Sequence, residues 1–134
     1  MNKNKFDEFI RVLIPETTED LENIYIESIY INDKYVVRAS KGNESATIEY
    51  RKIGLDYFDQ KEVMVKTSLL KLYGKNYDWG GLIGVRPTKI VRRFLDMGLE
   101  YDEIENILET IYLVSKKKID LLIRIVKTEM SYLD

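Results

Sequence analysis

Three β-rich segments lie between residues 24 and 51, separated by turn signals only two residues long. This spacing restricts the fold more than any other feature of the chain. The first segment, Ile24-Tyr-Ile-Glu-Ser-Ile-Tyr-Ile31, is built almost wholly from β-branched and aromatic residues, which suit a pleated surface. Asn32-Asp33 is a turn signal, because short polar side chains tolerate tight backbone geometry. Tyr35-Val-Val-Arg-Ala-Ser40 alternates in part, and Gly42-Asn43 marks a second turn. Ala46, Ile48 and Tyr50 then fall on one face, with Thr47, Glu49 and Arg51 on the other. Links this short cannot carry a parallel crossover. They dictate an antiparallel meander with one wet face.

Helical periodicity surrounds the meander. Phe6, Phe9, Ile10, Leu13 and Ile14 make one apolar helical face, and Pro15 ends it. Glu16 to Glu22 is acidic and reads as a loop. Gly54 closes the sheet. From Asp56 to Leu72 the pattern is helical again, with Phe58, Val65, Leu69 and Leu72 in one stripe and Gly74 placed to end it. Three further helical patterns follow a glycine-rich segment. The first runs from Pro87 to Met97, with Ile90, Val91, Phe94 and Leu95 apolar and Gly98 as its C-terminal punctuation. In the second, Asp102 and Glu105 have the spacing of a capping box ahead of Ile104, Ile107, Leu108 and Ile111. Ser115 caps the third, whose stripe is Ile119, Leu122, Ile123, Val126 and Met130. The expected class is therefore α+β. Residues 1–76 form a helix, a three-stranded antiparallel meander and a helix, and residues 77–134 form a glycine-rich segment plus a three-helix region.

The 134-residue chain contains no cysteine and no histidine, and this excludes more chemistry than any motif suggests. Disulfides, thiolate zinc sites, cysteine-held iron–sulfur clusters and Cys or His nucleophiles cannot be built from it alone. No acidic spacing matches a calcium loop. A net charge of −2 gives no global attraction to nucleic acid, so any anion site must come from local clustering. The charged start, Met1-Asn-Lys-Asn-Lys-Phe-Asp-Glu8, has no apolar run behind it and does not read as a signal peptide. The apolar stretches are too short to span a membrane, and a cytoplasmic location is expected.

Local clustering does occur. Trp79-Gly-Gly-Leu-Ile-Gly-Val-Arg-Pro-Thr-Lys89 holds the single tryptophan and three glycines, Gly80, Gly81 and Gly84. Pro87 suits the first turn of a helix. Arg86, Pro87, Thr88 and Lys89 therefore sit at a helix N-terminus, where backbone N–H groups favour an anion. Arg93 follows Lys89 by four residues and falls on the same side, with Arg92 nearby. This basic run suits a carboxylate or phosphate. The same pattern also fits a structural turn, with Trp79 in the core and a solvated basic face. It matches no nucleotide-binding motif. Lys116, Lys117 and Lys118 fit a solubilising role. Glu100, Asp102, Glu103 and Glu105 complement a helix dipole rather than mark a metal site. Tyr25, Tyr30, Tyr35 and Tyr50 fit core and sheet packing better than base stacking.

The string from Trp79 to Val91 resembles the W-G-x-L-x-G-[IV]-R-P-x-K signature of HemZ-type oxygen-independent coproporphyrinogen III oxidases (coproporphyrinogen dehydrogenases), a radical-SAM branch. The resemblance extends through Gly98, Tyr101-Asp-Glu-Ile-Glu105, Tyr112-Leu-Val-Ser115 and Lys118-Ile-Asp-Leu-Leu122. In that family a similar helical stretch leads into a catalytic barrel. Its CxxxCxxC motif holds a 4Fe-4S cluster that binds S-adenosylmethionine. A 5′-deoxyadenosyl radical then starts decarboxylation of two propionates to vinyl groups in heme biosynthesis. This chain has none of those cysteines. The resemblance implies an accessory N-terminal domain, not catalytic alone, that packs against the barrel as its intramolecular partner. Trp79, Gly80, Gly81, Gly84, Arg86, Pro87, Thr88, Lys89 and Arg93 would form the interface or an anion site. A sharper expectation makes Arg86 and Lys89, with Arg93, ligands for porphyrinogen propionates. The alternative is a small nucleic-acid-binding or protein-interaction module using the basic helix 86–93, which the acidic net charge disfavours.

Overall fold

The computed structural model describes residues 10–53 and 60–132. The architecture is α+β: a three-stranded antiparallel sheet combined with helices. The chain divides into two compact units, Met1–Asn76 and Tyr77–Asp134.

In the first unit residues 10–13 are helical and Pro15 lies beyond them. The rest of the helix read over residues 4–14 lies outside the described residues. The acidic stretch is not the expected loop. It forms a short helix α1 (Thr17–Asp20) and a 3-10 turn over Leu21–Asn23. Tertiary partners make this possible. The hydroxyl of buried Thr17 donates to the Ile14 carbonyl over 2.7 Å. Glu16 accepts from Lys75 at 2.8 Å.

Strands β1 (Ile24–Ile31), β2 (Lys34–Lys41) and β3 (Glu44–Arg51) follow in the order β1-β2-β3. The second strand starts one residue and the third two residues earlier than the alternation suggests. Both are extended by the pairs closing their turns, Ile31 with Lys34 and Lys41 with Glu44. Asn32 and Asp33 have φ of 52° and 62°, the two positive values a tight type I′ hairpin requires.

Helix α2 (Gln60–Leu72) packs on β2 and β3, over Val37, Ala39, Ala46 and Ile48, all buried. The expected start of this helix, with Phe58, and the closing role of Gly54 lie outside the described residues. The side chain of Gln60 stands in for a backbone amide at the end of the sheet. Its Nε2 donates to the Arg51 carbonyl and its Oε1 accepts from the Ile53 N–H, both at 2.8 Å. Burial on α2 exceeds the single predicted stripe: Val63, Met64, Thr67, Ser68 and Leu70 are buried as well as Val65 and Leu69. Thr67 and Ser68 turn their hydroxyls back onto the Met64 and Val65 carbonyls, which satisfies them inside the helix.

Asp20 ties this unit together. Its Oδ2 accepts from Lys41 Nζ at 2.8 Å and from the Tyr73 hydroxyl at 3.0 Å. The hydrogen bond from Lys41, followed by that from Tyr73, holds its carboxyl below the ordinary range. Burial, reinforced by the bond to Asp20, pushes the Tyr73 phenol up to about 12.

The outer strand β1 departs from the expected packing. Every residue after Ile24 is exposed, including Tyr25 and Tyr30 at 64% and 52%. Core burial therefore does not explain these tyrosines. Strand β1 lies beyond the part of the sheet that α2 covers. Tyr35 and Tyr50 are half-buried.

In the second unit helices α3 (Pro87–Asp96), α4 (Tyr101–Thr110) and α5 (Lys116–Ser131) pack pairwise. Their shared core is Ile90, Val91, Phe94, Ile104, Ile107, Leu108, Ile119, Leu122 and Val126. Helix α3 ends at Asp96, where the Leu99 N–H reaches the Phe94 carbonyl over 3.1 Å and Gly98 turns the chain. That turn brings the chain straight into α4, so its N-cap is Glu100, without a side-chain cap bond, and not Asp102. Asp102 instead lies in the first turn, where its charge complements the dipole. Ser115 does cap α5: its Oγ accepts from the Lys118 N–H at 3.3 Å.

Candidate functional site

The glycine-rich segment enters unit 2 as a 3-10 turn over Gly80–Leu82, all three residues buried. It is fastened to the connection between α4 and α5 through the main chain. The Gly81 N–H donates to the Tyr112 carbonyl at 2.8 Å, and the Ser115 N–H donates to the Asp78 carbonyl at 2.9 Å. Gly80 has φ of +52° and leaves no room for a side chain. A Cβ there would lie 2.1 Å from the Tyr112 oxygen and 2.5 Å from that of Leu113. Leu113 itself holds a positive φ of 56°. Gly80 thus allows two backbone segments to touch.

Trp79 is half-buried. The ammonium of Lys118 lies 5.7 Å from its ring centroid, a cation–π contact at the start of α5. Lys118 therefore has a structural task in addition to its charge.

The chain then passes Gly84 and reaches α3. Arg86 is the extended N-cap residue and Pro87 occupies the first helical position, where its missing N–H is harmless. One turn further on, Lys89, Arg92 and Arg93 project from the same region. Arg86, Thr88, Lys89, Arg92 and Arg93 line a single cavity of about 420 Å³, together with Asp96 and Glu129. The lining runs along α3 from its N-cap residue Arg86 to its last residue Asp96. Four cations face two carboxylates here, leaving an excess of two positive charges.

Of the nine residues the sequence singles out, Arg86, Thr88, Lys89 and Arg93 are brought together around the cavity. Trp79, Gly80 and Gly81 belong to the turn that faces the Tyr112–Ser115 connection, and Gly84 and Pro87 lead into α3. Sequence reasoning missed Asp96 and Glu129 as lining groups. Glu129 comes from α5 and meets Arg92 at 3.5 Å because α3 packs on α5. No local spacing connects two residues so far apart. Asp96 follows Arg92 by four residues, a spacing that does signal a shared helical face.

The cavity lining carries guanidinium, ammonium and carboxylate groups and one threonine hydroxyl. Guanidinium groups pair with carboxylates or phosphates in a planar two-point geometry. Among the described residues no group of three or more acidic, His or Cys side chains is placed to hold a metal ion. No described helix is long and apolar enough to cross a membrane.

No protein family, curated protein or solved structure matches this chain.

Proposed function

We propose that this chain is the accessory N-terminal domain of a cytoplasmic radical-SAM enzyme resembling oxygen-independent coproporphyrinogen III oxidase. In that reading the domain does no chemistry. It packs against the catalytic barrel and presents the face around Arg86 to carboxylates, either those of the barrel or the propionates of a porphyrinogen. The parent barrel would supply the 4Fe-4S cluster and S-adenosylmethionine.

One observation carries the reading: Arg86, Lys89, Arg92 and Arg93 converge on one cavity directly after the turn that bears the family-like signature. The acidic net charge of −2 weighs against binding to a nucleic-acid backbone.

The first test is the coding sequence downstream of Asp134, which is expected to specify CxxxCxxC; its absence sinks the assignment. In the full-length enzyme, removal of residues 77–130 should abolish stability or turnover, and normal values for both would refute the packing role. Arg86→Ala should weaken coproporphyrinogen binding, and an unchanged affinity would remove the propionate role. Salt-dependent binding of DNA or RNA by the 134-residue chain would favour the nucleic-acid alternative.

A further inference from the structure

Strand β1 is one edge of the sheet, and its free side has no neighbouring strand among the described residues. Natural edge strands are usually blunted by lysine, proline or a bulge. Ile24–Ile31 contains no lysine or proline and pairs with β2 in unbroken register. The opposite edge, β3, carries Glu44, Glu49 and Arg51. On β1, by contrast, Tyr25, Ile26, Ile29, Tyr30 and Ile31 are between 43% and 64% exposed. An unblunted edge with exposed apolar side chains on both faces is a template for pairing with another strand.

We propose that β1 pairs antiparallel with β1 of a second copy of this chain, about a two-fold axis at Ser28. The two three-stranded sheets then become one continuous sheet of six strands. The proposal stands apart from the carboxylate reading and uses no residue of the α3 cavity.

Three features point to a second copy as the occupant. The first is hydrogen-bond parity. Ile31 and Lys34 close a two-residue hairpin and so form a hydrogen-bonded pair. Tyr25, Glu27, Ile29 and Ile31 therefore direct their amides toward β2. Ile26, Ser28 and Tyr30 direct theirs to the free edge. A two-fold axis perpendicular to the sheet pairs these three residues with one another, giving about six main-chain hydrogen bonds.

The second feature is the set of side-chain pairs that this axis creates. With Ser28 on the axis, Ile26 lies opposite the partner's Tyr30 on one face. On the other face Tyr25 lies opposite the partner's Ile31 and Glu27 opposite the partner's Ile29. Aromatic–β-branched pairs of this kind are favourable across antiparallel strands. A slip of one residue would pair side chains from opposite faces.

The third is charge. Glu27 is the single charged residue of β1, and Arg38 of the same chain stands opposite it in β2. Centring the pair on Glu27 would set two carboxylates directly against each other, which is unfavourable. Centring it on Ser28 places two small hydroxyls there instead.

The 134-residue chain itself provides the test. Sedimentation velocity should show a concentration-dependent dimer. Because the chain lacks cysteine, Ser28→Cys introduces a single thiol. Residues facing each other in a hydrogen-bonded pair lie about 5.5 Å apart, within disulfide reach. Mild oxidation should therefore give a covalent dimer of Ser28→Cys, whereas Thr47→Cys, exposed on β3, should not cross-link. Ser28→Lys should weaken association at least about tenfold by placing two ammonium groups face to face, with the circular dichroism spectrum unchanged. A chain that stays monomeric at all concentrations overturns the proposal. So does a dimer that Ser28→Lys leaves intact, or one in which Thr47→Cys cross-links and Ser28→Cys does not. Protection of the β1 amides seen only on adding a different protein would assign the edge to that protein and overturn it equally.

Discussion

The α-carbon of Gly80 lies so close to the Tyr112 carbonyl that a Cβ would sit 2.1 Å from its oxygen. Both neighbours in this contact are backbone, so no side chain can swing aside to relieve it. Gly80→Ala should destabilise the second unit by roughly 3 kcal/mol or more, combining overlap with an unfavourable positive φ. Gly84 also has positive φ but nothing within 4 Å of a Cβ, so Gly84→Ala should cost only about 1–2 kcal/mol. Urea denaturation of the two variants checks the contrast. Equal losses would show that the close approach is unimportant.

Asp20 and Tyr73 should give the first unit opposite sensitivities at the two ends of the pH scale. The Asp20 carboxyl is held down when folded, mainly by Lys41. Its contribution is complete above the unfolded value of about 4 and is lost as pH falls through the lower folded value. The Tyr73 phenol is raised to about 12 when folded. Its contribution is complete below the unfolded value of about 10 and is lost as pH rises from there toward the folded value. In a tyrosinate absorbance titration Tyr73→Phe should remove a late-ionising phenol. Asp20→Asn should lower that step without restoring the ordinary value, because burial is the larger cause.

Replacing Gln60 with leucine keeps the bulk but leaves the Ile53 N–H and the Arg51 carbonyl without the bonds Gln60 provides. The expected loss is about 1–3 kcal/mol, the cost of stranding buried polar groups. Gln60→Glu supplies the acceptor but not the donor and should recover part of it. Thermal unfolding of the three proteins gives the comparison, and a stable Gln60→Leu protein would contradict this role.

The charge balance around α3 can be shifted in both directions. Glu129→Gln removes a carboxylate and releases Arg92 from its 3.5 Å contact. Affinity for a polycarboxylate such as coproporphyrin should rise severalfold, and Arg86→Ala should lower it by a similar factor. Both effects should shrink as salt is added, since the groups are partly solvated. Fluorescence titration of the 134-residue chain measures them. Opposite signs for the two variants are the essential outcome.

The sheet was legible because its turns are short and its third strand alternates without interruption. Ala46 and Ile48 are buried, while Thr47, Glu49 and Arg51 are exposed. Helices α3 to α5 were legible for the same reason at a different period. What local pattern did not carry was long-range pairing. The acidic stretch at Thr17–Asp20 becomes helical with the help of Lys41, Tyr73 and Lys75, which sequence order places far away. The start of α4 shifts to Glu100 because the Gly98–Leu99 turn, not a side-chain cap, sets the entry. In the candidate site, the cations from Arg86 to Arg93 were readable from helical spacing, but Glu129 required the packing of α3 on α5. Tyr25 and Tyr30 look like core residues in composition; only the reach of α2 across the sheet shows that β1 lies beyond it.

The main-chain bonds from Asp78 to Ser115 and from Gly81 to Tyr112 have an evolutionary consequence for the face they support. They close the chain around α3 and α4 with backbone groups that every amino acid except proline carries. The exposed cations Arg86 and Lys89 therefore contribute little to holding the framework together. Mutation can redraw the charge pattern of that face, and with it the choice of anionic partner, while the fold beneath is inherited unchanged.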